Sequence, residues 1–164
     1  MDRGDWYDIV VFLHIGFVVL GLGPSMALAV IGPRIPKAPI PARLPLTEAV
    51  QAISSRLVEP AAGLIFLSGV GAVFLSDDVW TFSQSWLVIG VVLWAIATAI
   101  GLGVLRPATN RMIAIQRSLT GPPSQDQMGT LESLGKRQAI FNGINHLLLV
   151  MLIFDMVWKP GIPR

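Results

Sequence analysis

Two histidines and two asparagines are the residues whose types and placing could do chemistry inside an otherwise apolar chain. His14 stands in the middle of "YDIVVFLHIGFVVLGLG" (residues 7–23), and "FNGINH" (residues 141–146) supplies Asn142, Asn145 and His146. An imidazole in such surroundings can ligate a metal, carry a proton or bond across a helix interface. Serine and threonine hydroxyls can return to their own helix backbone; imidazole and carboxamide do so less easily and need partners. Asn142 and His146 are four residues apart, so they share one helical face, with Asn145 beside them.

The elements that must position these groups are legible in the charge pattern. No Lys, Arg, Asp or Glu occurs between Asp8 and Arg34, from Pro60 to Ser76, from Val79 to Leu105, or from Gln138 to Phe154. These runs are about 25, 17, 27 and 17 residues long, and a helix crosses the hydrocarbon core with roughly 20 residues, 17 being near the lower limit. The pattern predicts an all-α integral membrane protein, a four-transmembrane-helix bundle forming a single domain over residues 1–164. The spans are 8–31, 58–76, 84–106 and 138–158, joined on the cytoplasmic side by 32–57 and 107–137. The first run is too long and too poorly preceded by basic residues for a cleaved signal peptide, so it reads as a retained span. There are no cysteines, which removes disulfides, thiolate metal sites and cysteine nucleophiles together.

Orientation follows from the cations. Arg34, Lys37, Arg43 and Arg56 lie in the first long connection; Arg106, Arg111, Arg117, Lys136 and Arg137 lie in the second. These are nine of the twelve basic residues, and basic loops stay cytoplasmic, so both termini should face outward across a bacterial inner membrane. Trp6, Tyr7, Trp80, Trp86 and Trp158 fall at the ends this topology places outside, as an interfacial aromatic belt would. The proline-rich start of the first connection, "GPRIPKAPIPARLPL", predicts extended chain along the membrane surface. Helical spacing returns from Thr47, and Pro60 predicts a kink at the entrance to the second span. In the second connection "RPATNRMIAIQRSL" can prolong the third span until "TGPPS" breaks it. No phosphate loop, nucleotide fingerprint or catalytic serine motif occurs, and nothing suggests nucleic acid as a partner.

Depth then links the two histidines. At 1.5 Å per residue, His14 lies roughly 9 Å inward of Asp8, and His146 roughly 13 Å inward of Asp155. That places both imidazoles within about one helical turn of the same level. Three readings stay open: interhelical hydrogen bonds with Asn142 or Asn145 as partners, axial ligation of a b-type haem by His14 and His146, or a copper site or proton path. A metal held by two histidines without cysteine would need a third ligand, which only an asparagine, Met26, Met151 or Met156 offers. Asp155 and Glu59 lie near opposite interfaces, where solvated carboxylates beside headgroups are expected.

The opening stretch, "LVEPAAGLIFLSGVGAV" in the second span and the tail "FDMVWKPG" resemble a group of bacterial four-span proteins described only as predicted integral membrane proteins. The histidine of the first span is also similar to that of copper-resistance D-like membrane domains and of membrane protoporphyrinogen oxidases, which bind haem b. That resemblance implies a haem-binding role for His14 alone. The oxidase-like group carries a cation within its later spans, and no Lys or Arg lies inside any span here. Two function classes follow. One is a small non-enzymatic accessory or assembly subunit in the lipid bilayer, packing on a protein partner or on further copies of itself through glycine-rich faces. The other is a haem b redox protein with His14 and His146 as axial ligands.

Overall fold

The computed structural model describes residues 2–162, and among them every regular element is helical. Helix α1 (Arg3–Ile31) opens with a reciprocal cap in which Asp5 N–H donates to Asp2 Oδ1 and Asp2 N–H donates to Asp5 Oδ2, both at 2.9 Å. Two acids at this end also suit the positive pole of the helix. A short 3-10 turn (Gly32–Lys37) leads into α2 (Ile40–Ile53), which continues through a π turn (Ser54–Val58) into α3 (Glu59–Leu75). After a tight connection, α4 (Ser85–Ile100) runs through a second π turn (Gly101–Leu105) into α5 (Arg106–Arg117). Helix α6 (Gln125–Trp158), capped reciprocally by Ser124 and Gln127, completes the chain. Four rods therefore result, each long and apolar enough to cross a membrane.

Both π turns have the same cause. Each precedes a charged residue followed by proline, Glu59–Pro60 and Arg106–Pro107. A proline ring crowds the carbonyl one turn back and offers it no N–H. The helix relieves this by widening, so that Glu59 N–H donates to Ser54 O and Arg106 N–H to Gly101 O, each five residues back. Pro60 thus produces a bulge in a continuous rod. The proline-rich start of the first connection is likewise wound, not extended. Pro39 occupies the cap of α2 and Pro41 its first turn, where a missing N–H costs nothing, leaving Pro45 as the one proline interior to α2 and Pro36 inside the 3-10 turn.

Packing pairs α1 with α3 and α4 with α6, while α2 and α5 pair beyond them. The two long pairs are joined by Trp94, which stacks on Phe66 with ring centroids 4.3 Å apart and donates from Nε1 to Ala62 O at 3.0 Å. The buried set mixes small and polar residues (Ala61, Ala97, Ala108, Ser25, Thr109) with a few large ones (Trp86, Leu87, Met112, Ile113), whereas Phe12 and Val157 are 74% and 77% exposed. So many large apolar residues outside is an arrangement lipid permits, since burying Leu or Phe brings no gain when the solvent is hydrocarbon. At 1.5 Å per residue the 34-residue α6 is about 51 Å long against a core of about 30 Å. It is therefore longer than one crossing needs, and its polar first third meets α5.

The opposite end gathers Asp2, the 76–84 connection and the chain's last described residues. Asp77 and Asp78 turn the chain there at positive φ, which aspartate tolerates better than most residues. Arg3 bridges Asp77 at 2.8 Å and donates to Phe74 O. Trp80 Nε1 donates to Tyr7 Oη at 3.0 Å, and Trp80 meets Trp86 edge-on at 5.3 Å. Trp86 itself is buried, so the ring read as part of an interfacial belt is packing inside the bundle.

Candidate functional site

The site is a polar seam along one side of α1. At 100° per residue, His14, Gly21 and Ser25 fall within about 40° of one another, on one face. Each meets a different neighbour. His14 Nδ1 lies 3.1 Å from Ser68 Oγ on α3. The Ser68 hydroxyl hydrogen goes to Leu64 O at 2.6 Å, so His14 Nδ1–H is the donor and Ser68 Oγ the acceptor. The ring lies on Gly69: a Cβ there would stand 3.1 Å from His14 Cε1. Gly21 makes the matching approach to Ala61, 3.1 Å from where its own Cβ would be.

Further along, His146 reaches Ser25. His146 Nδ1 is 2.7 Å from Asn142 O, one turn back in α6, and Nε2 is 3.4 Å from Ser25 Oγ and 3.2 Å from Ser25 O. Each ring nitrogen thus faces a carbonyl to which its hydrogen can go: Nδ1–H donates to Asn142 O, leaving Nε2 to accept from the Ser25 hydroxyl, whereas Nε2–H would donate to Ser25 O. Asn142 serves His146 through its backbone. Asn145, on the neighbouring strip of α6, has a buried Oδ1 that no described donor meets.

The structure therefore ties each histidine to its own interhelical contact and does not bring the two together. His146 stands opposite Ser25, eleven residues or about 16 Å of helix from His14, whereas two nitrogens on opposite sides of one metal ion are about 4 Å apart. In this arrangement the pair does not fit as axial ligands of a single haem. The depth reading differs because it used Asp155 as a marker of the interface. Asp155 is 4% exposed and packs against Gly90 of α4, and the His146–Ser25 contact offsets α6 from the register in which Asp155 stands level with Asp8. Among the described residues no three His, Asp or Glu side chains converge as a metal site.

Sequence reasoning saw Ser68, Gly69 and Trp94 within the spans but gave them no partners, Ser68 being set aside as a hydroxyl returned to its own helix. The first has a signal: "LSGVG" sets a hydroxyl beside a glycine in mid-span, a place for a ring to lie and a group to hold it. Glu59 sits outside this seam; its carboxylate pairs with Arg106 at 3.1 Å, joining the second and third rods.

Four long apolar helices whose outer surfaces carry many exposed large apolar residues define a four-span helical integral membrane protein. The chain belongs to the family described as Predicted integral membrane protein (DUF2269), whose model matches residues 8–160. No curated protein and no solved structure matches it.

Proposed function

We propose that the protein is a non-enzymatic subunit of a larger assembly in the cell's inner membrane, oriented with both termini outside. It docks through the side of α1 that faces away from the polar seam. One observation carries this reading. Phe12, Gly16, Val19 and Gly23 fall within about 60° of one another on that side, opposite His14, Gly21 and Ser25. Phe12 and Val19 are exposed, and nothing lies within 4 Å of where a Cβ would stand on Gly16 or Gly23. Glycines used inside the bundle, such as Gly21 and Gly69, have close neighbours; these two present bare backbone. Their seven-residue spacing repeats every two turns, the step at which a second helix can follow a seam of small residues closely.

The polar groups support a structural role as well. His14 and His146 spend their hydrogen bonds holding α1 to α3 and α6.

The test is a photo-crosslinking residue at Val19, in intact membranes, with and without Gly16→Ile and Gly23→Ile. A discrete protein adduct that both substitutions remove is the expected result. An adduct of twice the chain's mass identifies a second copy, and any other mass a different subunit. Crosslinking to lipid alone would overturn the docking face. Visible spectra in mild detergent test the redox alternative: His14 and His146 as haem b ligands would require His146 to leave Ser25 and would give a Soret band that shifts on reduction. The structural reading expects none.

A further inference from the structure

Arg43 is a guanidinium that the fold half-buries and leaves largely unspent. Its side chain folds back along α2 so that Nε donates to Ala38 O at 2.9 Å. Neither Nη1 nor Nη2 has a partner among the described residues. Other cations of this end are neutralised within the fold: Arg106 holds Glu59, and Lys136 holds Glu132. Glu48, the only carboxylate of α2, is spent on Arg117 at 2.8 Å. A charge partly withdrawn from water with its donors unmet is costly, and an anion within reach relieves that cost.

Arg43 lines a groove of about 200 Å³ where the start of α2, the end of α5 with the loop after it, and the first third of α6 come together. Ile40, Leu44, Leu119 and Leu131 give the groove apolar walls, and Arg43 is the only ionisable residue among its lining. Ile40 is exposed, so the groove opens to the surface. Gln116 supplies the second polar group. Its Oε1 is buried and unpartnered, so Nε2, which makes no hydrogen bond within the described residues, is the atom left to meet an occupant. Guanidinium and amide nitrogens both donate, so the polar part of the lining offers donors and a positive charge. At about 30 Å³ per water the groove has the volume of roughly seven waters. One turn of a helix roughly 10 Å across takes about 400 Å³, so the space suits a small molecule and not a partner's helix.

We propose that this groove binds a small monocarboxylate with an apolar body, its oxygens on Arg43 and the Gln116 amide and its body against the apolar walls. Chemistry selects the occupant. The planar guanidinium fork matches the two oxygens of a carboxylate in a way that no single-point anion does. A neutral amide of the same shape would set its own N–H groups against a lining that only donates. A bare inorganic anion would leave the four apolar side chains wet. The concentration of cations at this end of the molecule also favours the approach of an anion. The groove involves none of the residues of the α1 docking face and stands or falls independently of it.

The experiment is isothermal titration of the full chain in lipid nanodiscs, against empty nanodiscs, with benzoate, benzamide and inorganic phosphate. Benzoate should bind saturably with a dissociation constant of about 1 mM or tighter, within reach of a ligand of about nine heavy atoms. Benzamide and phosphate should bind about tenfold more weakly or worse, the effect of roughly one charge-assisted hydrogen bond for the amide and of the unfilled apolar walls for the phosphate. Arg43→Gln should reduce benzoate to the level of benzamide. Leu119→Trp, which fills the groove and leaves Arg43 in place, should weaken benzoate by a similar factor, and it decides the matter if Arg43→Gln does not fold. No saturable benzoate binding up to about 10 mM would overturn the proposal. So would equal binding of benzamide or phosphate by the unaltered chain, or undiminished benzoate binding in either variant.

Discussion

His146 of α6 and Ser25 of α1 meet across 121 residues of sequence, with the imidazole Nε2 3.4 Å from the serine hydroxyl. Little else joins α6 to α1, since α6 packs chiefly on α4 and α1 on α3. The bond therefore bears on how the two helical pairs sit together. Interhelical polar contacts in membranes average about 0.6 kcal/mol and reach about 1.7 kcal/mol. His146→Leu and Ser25→Ala should each lower stability, with a coupling of about 0.5–1.5 kcal/mol in a double-mutant cycle. Thermal unfolding in detergent measures it. Strictly additive losses would mean that the two side chains do not communicate.

The helices were legible before any coordinates because lipid imposes so strict a rule: a long run without charge has to be a helix. The wound proline segment was not, because prolines at a helix cap and in a first turn look the same in sequence as prolines in an extended chain. The polar residues were legible as a set and not as pairs. His14 and His146 are each visible as groups needing a partner, yet choosing Ser68 and Ser25 requires the relative heights of helices. Nothing local encodes that height once a presumed interface marker, Asp155, turns out to be buried.

Glycine substitutions separate the glycines that packing uses from those it leaves open. Ala at position 69 would press on His14, whose ring is held by its bond to Ser68, and Ala at position 21 would press on Ala61 Cβ, fixed to the α3 backbone. Ala61 Cβ cannot move without shifting a helix, and the His14 ring can move only by straining its bond to Ser68. Overpacking of this kind costs about 1–3 kcal/mol, offset by roughly 1 kcal/mol from the better helix propensity of alanine. Gly69→Ala and Gly21→Ala should thus be net destabilising by about 1 kcal/mol. Gly143→Ala, where no atom lies within 4 Å, should be neutral or slightly stabilising. Equal melting shifts for all three would show that the close approaches carry no weight.

Orientation can be read directly because the chain has no cysteine to remove. The cations crowd the end formed by α2, α5 and the start of α6, which the positive-inside rule assigns to the cytoplasm. In Asp5→Cys, a membrane-impermeant maleimide applied to intact cells should label the protein. In Ser133→Cys, whose position is exposed on the polar third of α6, labelling should appear only after permeabilisation. The reverse pattern would invert the topology and, with it, the side on which the 76–84 connection lies.

The ion pair between Glu59 and Arg106 offers a test of how the second and third rods are held. Each residue stands directly after a π turn and directly before a proline, so neither backbone can slide by a residue without losing its bulge. Both side chains are partly open, Arg106 half exposed and Glu59 about a fifth, which keeps the attraction at the scale of surface pairs, at most about 1 kcal/mol. Glu59→Gln and Arg106→Gln should each lower the melting temperature modestly. The exchanged pair Glu59→Arg with Arg106→Glu should recover most of the loss, because the two prolines hold both positions in place. Failure of the exchange to recover stability, with each single change remaining harmful, would mean that each residue acts through its own surroundings and not through the other.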